Sequence, residues 1–230
     1  MRRNPGRCTG FALDVTRLPT VLFLALALAA VPAAAVAAER IGTPGQDTLL
    51  GGAGPDQLYG EDGDDVLVGA AANDYLEAGP GADRAEGGAG DDLVIGGTGD
   101  DQLAGGTGSD VVYAGGGDDQ LGGGAGDDVL FGQIGDDRIE GGAGDDRIYL
   151  GLGRDQADGG PGADTLTASG GGATIRGGQG DDRVLARDGR RDEIDCGPGQ
   201  DLVQADRVDV RRGCEQSLAG GDRAPRPRAR

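Results

Sequence analysis

Gly87-Gly88-Ala89-Gly90-Asp91-Asp92-Leu93-Val94-Ile95 and Gly141-Gly142-Ala143-Gly144-Asp145-Asp146-Arg147-Ile148-Tyr149 are two copies of one nine-residue pattern. From Gly42 to Leu185 the chain reads in such units without insertion. There are sixteen, beginning at residue 42 and at every ninth residue to 177. The fourth position is Gly in fifteen units, with Ala72 the exception, and the sixth is Asp in fifteen, with Ala173 the exception. The eighth is Leu, Ile or Val in fourteen, replaced by Ala85 and Ala157. Three positions held in phase over 144 residues mark a repeat architecture.

Each fixed position has a chemical reason. Glycine early in the unit lets the backbone take positive φ and curl its carbonyls inward. Aspartate and main-chain carbonyls offer only oxygen, which suits a hard cation such as calcium with its six to eight oxygen ligands. The final three residues alternate, so position eight points inward and positions seven and nine outward. Aspartate is also a good turn former, but a turn alone does not need it at one place in fifteen of sixteen units.

The pattern resembles the G-G-x-G-x-D-x-U-x repeat of hemolysin-type (RTX) calcium-binding proteins, U being a large aliphatic residue. The resemblance implies an all-β fold, a right-handed parallel β-roll with two nonapeptides per coil. It also implies that the first six residues of a unit form a calcium-binding turn and the last three a short strand. Turns eighteen residues apart would then stack. Asp47, Asp65, Asp83, Asp101, Asp119, Asp137 and Asp155 are expected along one edge. Asp56, Asp74, Asp92, Asp110, Asp128, Asp146, Asp164 and Asp182 are expected along the other. An ion between each neighbouring pair gives up to about thirteen Ca2+. Without ions the carboxylates would stack at about 4.8 Å, and the thin core is too small to offset that, so folding is expected to depend on calcium. Two units break the pattern. The one containing Ala173 should have a weakened site, with Ile175 continuing the core. The one from Leu150 has only Ala157 inside, and packing should be poorest there.

The flanks read differently. Arg2, Arg3, Arg7 and Arg17, an apolar run from Val21 to Val31 and small residues up to Ala38 have the form of a secretory signal peptide over 1–38. The β-roll is assigned to 39–185, degenerate repeats and a C-terminal cap to 186–218, and a disordered tail to 219–230. Asp195-Cys196-Gly197-Pro198-Gly199-Gln200-Asp201 through Cys214-Glu215 resembles the terminal segment of secreted calcium-repeat proteins from high-GC bacteria. Outside the leader only Cys196 and Cys214 remain, an even number for an oxidising compartment, so a disulfide between them is expected. Free or intermolecularly paired cysteines are the alternative.

The 230 residues carry 40 acidic and 21 basic side chains, no His and 50 Gly. Removing 1–38 takes away four arginines and one aspartate, leaving 39 acidic and 17 basic residues and a net charge of −22. That charge argues against nucleic acid and anionic membranes as partners and for cations. The absence of His excludes H-E-x-x-H and every His-based triad, there is no G-x-S-x-G elbow, and the units leave no segment for a catalytic domain. A non-enzymatic, secreted or cell-surface calcium-binding protein with a structural or adhesive role is the leading expectation. A hydrolase or lyase with an unrecognised site is the competing one. Tyr59, Tyr75, Tyr113, Phe131 and Tyr149 all fall at outward positions of the even-numbered units. They form a candidate interaction face for self-association, a surface polymer or carbohydrate; ordinary β-propensity of an outer strand face is the plainer explanation. Outward Thr is too sparse for ice binding.

Overall fold

The computed structural model describes residues 37–214 and 216–217. Residues 1–36 of the expected leader and the whole expected tail, 219–230, lie outside the described residues. The described residues build an all-β solenoid of two parallel sheets, one of eleven and one of ten strands. The even-numbered units feed the first sheet and the odd-numbered units the second. Each strand pairs with the strand one coil later, so that Leu93 lies beside Val111, Val112 beside Leu130 and Leu130 beside Ile148. There is no helix among the described residues, and hence none long and apolar enough to cross a membrane.

The strands are longer than the resemblance implies. Leu93–Thr98, Gln102–Thr107 and Val111–Gly116 each cover six residues, namely positions seven to nine and the first three of the next unit. The turn shrinks to positions four to six. The ladder continues because backbone groups past position nine also find partners in the next coil; the Gly60 N–H donates to the Glu77 carbonyl at 2.8 Å and the Gly81 N–H to the Thr98 carbonyl at 2.8 Å. The left-handed turn at position four is set by glycine, with φ +134° at Gly90 and +121° at Gly99. Ala72, the exception, is forced to φ +75°, a region where a Cβ costs energy.

The core is a double file rather than a single one. Position eight points inward as expected, and Leu58, Leu76, Val94, Val112, Leu130, Ile148, Leu166 and Ile175 are buried. Position one also points inward, because alternation carries on through the longer strand. A methyl on Gly96 would sit 3.0 Å from Cδ1 of Leu103, and one on Gly132 would sit 3.1 Å from Cδ1 of Ile139. Positions one and eight of a unit therefore share one interior space. This corrects the expectation of poor packing around Ala157. Leu150, at position one of that unit, is fully buried and supplies the volume that Ala157 lacks. Ala78 and Ala85 divide the same space more evenly, and both are buried. Ile175 continues the core past Ala173, as expected.

Beyond Leu185 the coil continues in a shifted frame. Ile175 pairs with Ile194 and Val184 with Val203, one residue more than the repeat. The expected Cys196–Cys214 disulfide is present, with Cα atoms 5.1 Å apart and Cys196 fully buried.

Candidate metal centres

The two aspartate ladders stand as the sequence places them, each rung one coil from the next. From Asp65 to Asp182 the Oδ1 of each ladder aspartate accepts the backbone N–H of the aspartate eighteen residues earlier. Asp83 N–H donates to Asp101 at 2.9 Å and Asp101 N–H to Asp119 at 2.8 Å on one edge. Asp92 N–H donates to Asp110 at 2.8 Å and Asp110 N–H to Asp128 at 2.8 Å on the other. The backbone carbonyl of each rung is taken by the next coil, as Asp101 takes the Gln120 N–H at 2.8 Å. One carboxylate oxygen and both backbone groups are therefore satisfied by protein.

The second oxygen is not. Asp65, Asp74, Asp83, Asp92, Asp101, Asp110, Asp119, Asp128, Asp137, Asp146, Asp155, Asp164 and Asp182 each bury an Oδ2 with no hydrogen-bond partner. A buried carboxylate without a partner is costly. Burial accordingly pushes Asp101, Asp137 and Asp146 up to about 7 and Asp74, Asp92, Asp110, Asp155, Asp164 and Asp182 up to about 6. The backbone hydrogen bond to Oδ1 opposes the rise, and charges from neighbouring rungs add to it. The same interior wall carries main-chain oxygen. A methyl on Gly96 would come within 2.5 Å of Asp101 Oδ2 and 2.6 Å of the Ala114 carbonyl. Glycine at position one thus leaves a carboxylate oxygen and a carbonyl of the next coil crowding one space.

Such an all-oxygen lining with unsatisfied anionic oxygens fits a hard divalent cation. Among the described residues no group of three or more His, Cys, Asp or Glu side chains is disposed to hold a metal. The carboxylates run in single file, so any ion between rungs would complete its shell with main-chain carbonyls.

The two N-terminal rungs differ. Asp47 is only half-buried, and its Oδ2 accepts from the Thr43 hydroxyl at 2.8 Å and from the Thr43 N–H. Asp56 is buried but spends its oxygens on the N–H groups of Ala38 and Gly52. The structure also adds rungs that a strict nine-residue frame misses. Asp201 accepts the Asp182 N–H at 3.1 Å and Asp192 accepts the Ala173 N–H at 2.9 Å. Both are fully buried with an unpartnered Oδ2. The signal for Asp201 was a one-residue shift, after which Cys196 to Val203 reads as the first eight positions of a unit. A second, outer ladder runs at position five with its hydrogen bonds in the opposite direction. Asp100 Oδ1 accepts from Asp118 N–H at 2.9 Å and Asp118 Oδ1 from Asp136 N–H at 2.8 Å. Position five varies too much in sequence to announce this.

On the eleven-stranded sheet the candidate interaction face is a column of rings. Tyr113 and Phe131 stack at 4.6 Å, Phe131 and Tyr149 at 4.8 Å, and Tyr59 tilts against Tyr75 at 5.5 Å. The central rings spend their faces on one another and turn their edges outward. The opposite sheet presents exposed pairs such as Arg84–Glu86 at 3.5 Å and Arg176–Asp158 at 3.8 Å, which contribute little to stability.

The family described as RTX calcium-binding nonapeptide repeat (4 copies) matches residues 41–76, 68–103, 95–130, 122–157 and 158–191. Those segments run through well over half of the 230 residues. Among curated proteins, none matches the chain.

Proposed function

The chain belongs to the RTX calcium-binding nonapeptide repeat proteins, and from that premise we propose that it is a secreted, non-catalytic repeat protein whose aspartate ladders hold calcium and make its folding depend on the ion. The observation that carries this is the row of thirteen buried Oδ2 atoms without a partner, one on each ladder aspartate from Asp65 to Asp182. The ladder aspartates from Asp65 to Asp182 would hold the ions, and bound calcium would neutralise carboxylates that otherwise repel along the stack. Bound calcium supplies the charge compensation; the glycines at positions one and four supply the space and the turn.

Low cytosolic calcium would leave the chain unfolded until export, and the disulfide suits an oxidising compartment. With no His in its sequence, the chain is read as a structural or adhesive element rather than a hydrolase or lyase. Equilibrium dialysis of the purified chain tests the proposal. About eleven calcium ions per chain are expected from the consecutive pairs among these thirteen aspartates; a chain that takes up one or two, or none, refutes it.

For the adhesive part, the aromatic column supports self-association or contact with a surface polymer through ring edges. Serine in place of Tyr113, Phe131 and Tyr149 should reduce self-association in sedimentation velocity and retention on cell-wall polymer. Unchanged behaviour in both would leave the column as sheet packing alone.

A further inference from the structure

On the edge formed by the even-numbered units, the acidic row at position five is interrupted. Its residues there are Pro55, Asn73, Asp91 and Ser109, followed by Asp127 and Asp145. The first four turns thus carry a single outer charge, whereas each of the next two carries one. Beside those first turns, on the eleven-stranded sheet, lies a groove of about 580 Å³, a size that suits a small ligand or a short stretch of polymer. Half-buried Leu93 and Val111 supply apolar lining, and the rings of Tyr75 and Tyr113 line it as well.

The rings are held in place before any ligand arrives. Tyr75 leans on Tyr59 with ring centres 5.5 Å apart, and its hydroxyl donates to Glu77 at 2.7 Å. Tyr113 ends the stacked column, so Phe131 covers one of its faces and no ring of the column covers the other. The polar side chains are anchored in the same way. Asn73 Oδ1 accepts the Asp91 N–H at 3.0 Å, and Asp91 Oδ1 accepts the Ser109 N–H at 2.9 Å. That leaves the Asn73 amide N–H groups, the second Asp91 oxygen and the Ser109 hydroxyl, all on exposed residues, for a ligand.

An extended peptide is poorly served here. The N–H groups of Tyr75, Leu93 and Val111 already donate to the carbonyls of Asp56, Asp74 and Asp92, each at 2.9 Å, so the groove offers no open strand edge for β-addition. An anionic polymer would be repelled by the neighbouring acidic turns. The groove suits a neutral ligand with C–H faces for the electron-rich ring faces and hydroxyls for the amide, the carboxylate and the serine. Those polar groups recur once per coil, at about 4.8 Å, close to the advance of one sugar residue in an extended chain. We propose that the groove between Tyr75 and Tyr113 binds a neutral polysaccharide lying along the roll axis, with Asn73, Asp91 and Ser109 taking hydroxyls of successive sugars. This deepens the surface-polymer reading, on which it rests for the kind of partner, by naming the polymer class and placing its site off the middle of the aromatic column.

Isothermal titration calorimetry of the full chain in saturating calcium tests it, with cellohexaose and chitohexaose as neutral probes and hexagalacturonate as the anionic one. At least one neutral probe should bind, and hexagalacturonate should bind far more weakly. Tyr75→Thr with Asn73→Ala installs residues that the repeat carries at the same positions elsewhere, in Thr165 and Ala163. It should weaken the neutral probe on the order of tenfold or more. Tyr149→Thr, in the column but outside the groove, should bind as the parent does. No binding of either neutral probe, or equal binding by the groove variant, overturns the site; retention of the parent on cell-wall polymer would in that case leave the broader reading standing. A loss in Tyr149→Thr as large as in the groove variant places binding on the column and overturns the groove. Equal binding of hexagalacturonate overturns the neutral class. If the groove variant gives no β signal in calcium, Asn73→Ala alone decides: a several-fold loss is expected, and an unchanged affinity overturns the site.

Discussion

Acid should partly replace calcium in folding this chain. The carboxyl of Asp101 is held up at about 7 and those of Asp92, Asp110 and Asp164 at about 6, chiefly by burial, against an ordinary value of 3.8. A raised folded-state value means that the ion-free roll binds protons more tightly than the unfolded chain. Its stability is therefore greatest at low pH and is lost as pH rises through about 6 to 7. For one carboxyl moved from 3.8 to about 6, the penalty against the ion-free fold is about 3 kcal/mol at pH 7 and about 1.6 kcal/mol at pH 5. Several such groups lie on each ladder, so the combined change across that range is comparable with the whole stability of an ordinary domain. The assay is far-UV circular dichroism of the chelated chain at low concentration between pH 7.5 and 5, a range above the sequence pI of about 4.2. β signal should grow as pH falls. A flat signal, or one that shrinks on acidification, would refute the idea that unpartnered buried carboxylates oppose the ion-free fold. In the calcium-loaded protein the sign reverses, because protons compete with the ion for Oδ2.

Three further outcomes follow from the same geometry. Asp119→Asn keeps an acceptor for the Asp101 N–H but removes a ladder charge from the middle of the stack. The calcium midpoint of folding, read by circular dichroism, should rise by several-fold and the bound-ion count should fall. Leu150→Ala should cost about 2–5 kcal/mol in urea unfolding at saturating calcium, and Ala157→Leu added to it should recover much of the loss, since both side chains occupy one interior space. Ala72→Gly should raise stability by about 1 kcal/mol, because φ +75° costs an alanine what glycine does not feel; a lower thermal midpoint would contradict the left-handed turn at position four.

The register of the coil was legible in the sequence because three positions carry side chains of fixed chemistry. Asp at position six, an aliphatic at eight and Gly at four specify edge, core and turn, and the ladders from Asp47 to Asp155 and from Asp56 to Asp182 lie where that frame puts them. Position one was illegible for the opposite reason. Glycine there gives no hydropathy signal, so the second inward file shows only where Ala78, Ala114, Leu150 or Ala168 replaces it. The same blindness made Ala157 look like a hole. Asp192 and Asp201 escaped because a single inserted residue after Ala186 moves both out of frame while leaving their hydrogen bonds intact. Asp47 and Asp56 match the pattern yet differ in chemistry, since Thr43 and Gly52 satisfy the Oδ2 oxygens that deeper rungs leave bare; end effects of this kind are written in neighbours rather than in the repeat.

Calcium titration of the chelated chain at pH 7.5, followed by far-UV circular dichroism up to about 10 mM, tests the coupling of ion and fold most directly. A cooperative passage from coil to β-sheet, with little response to magnesium, is the expected result. A chain already folded in chelator, or one that stays unfolded in calcium, would contradict it.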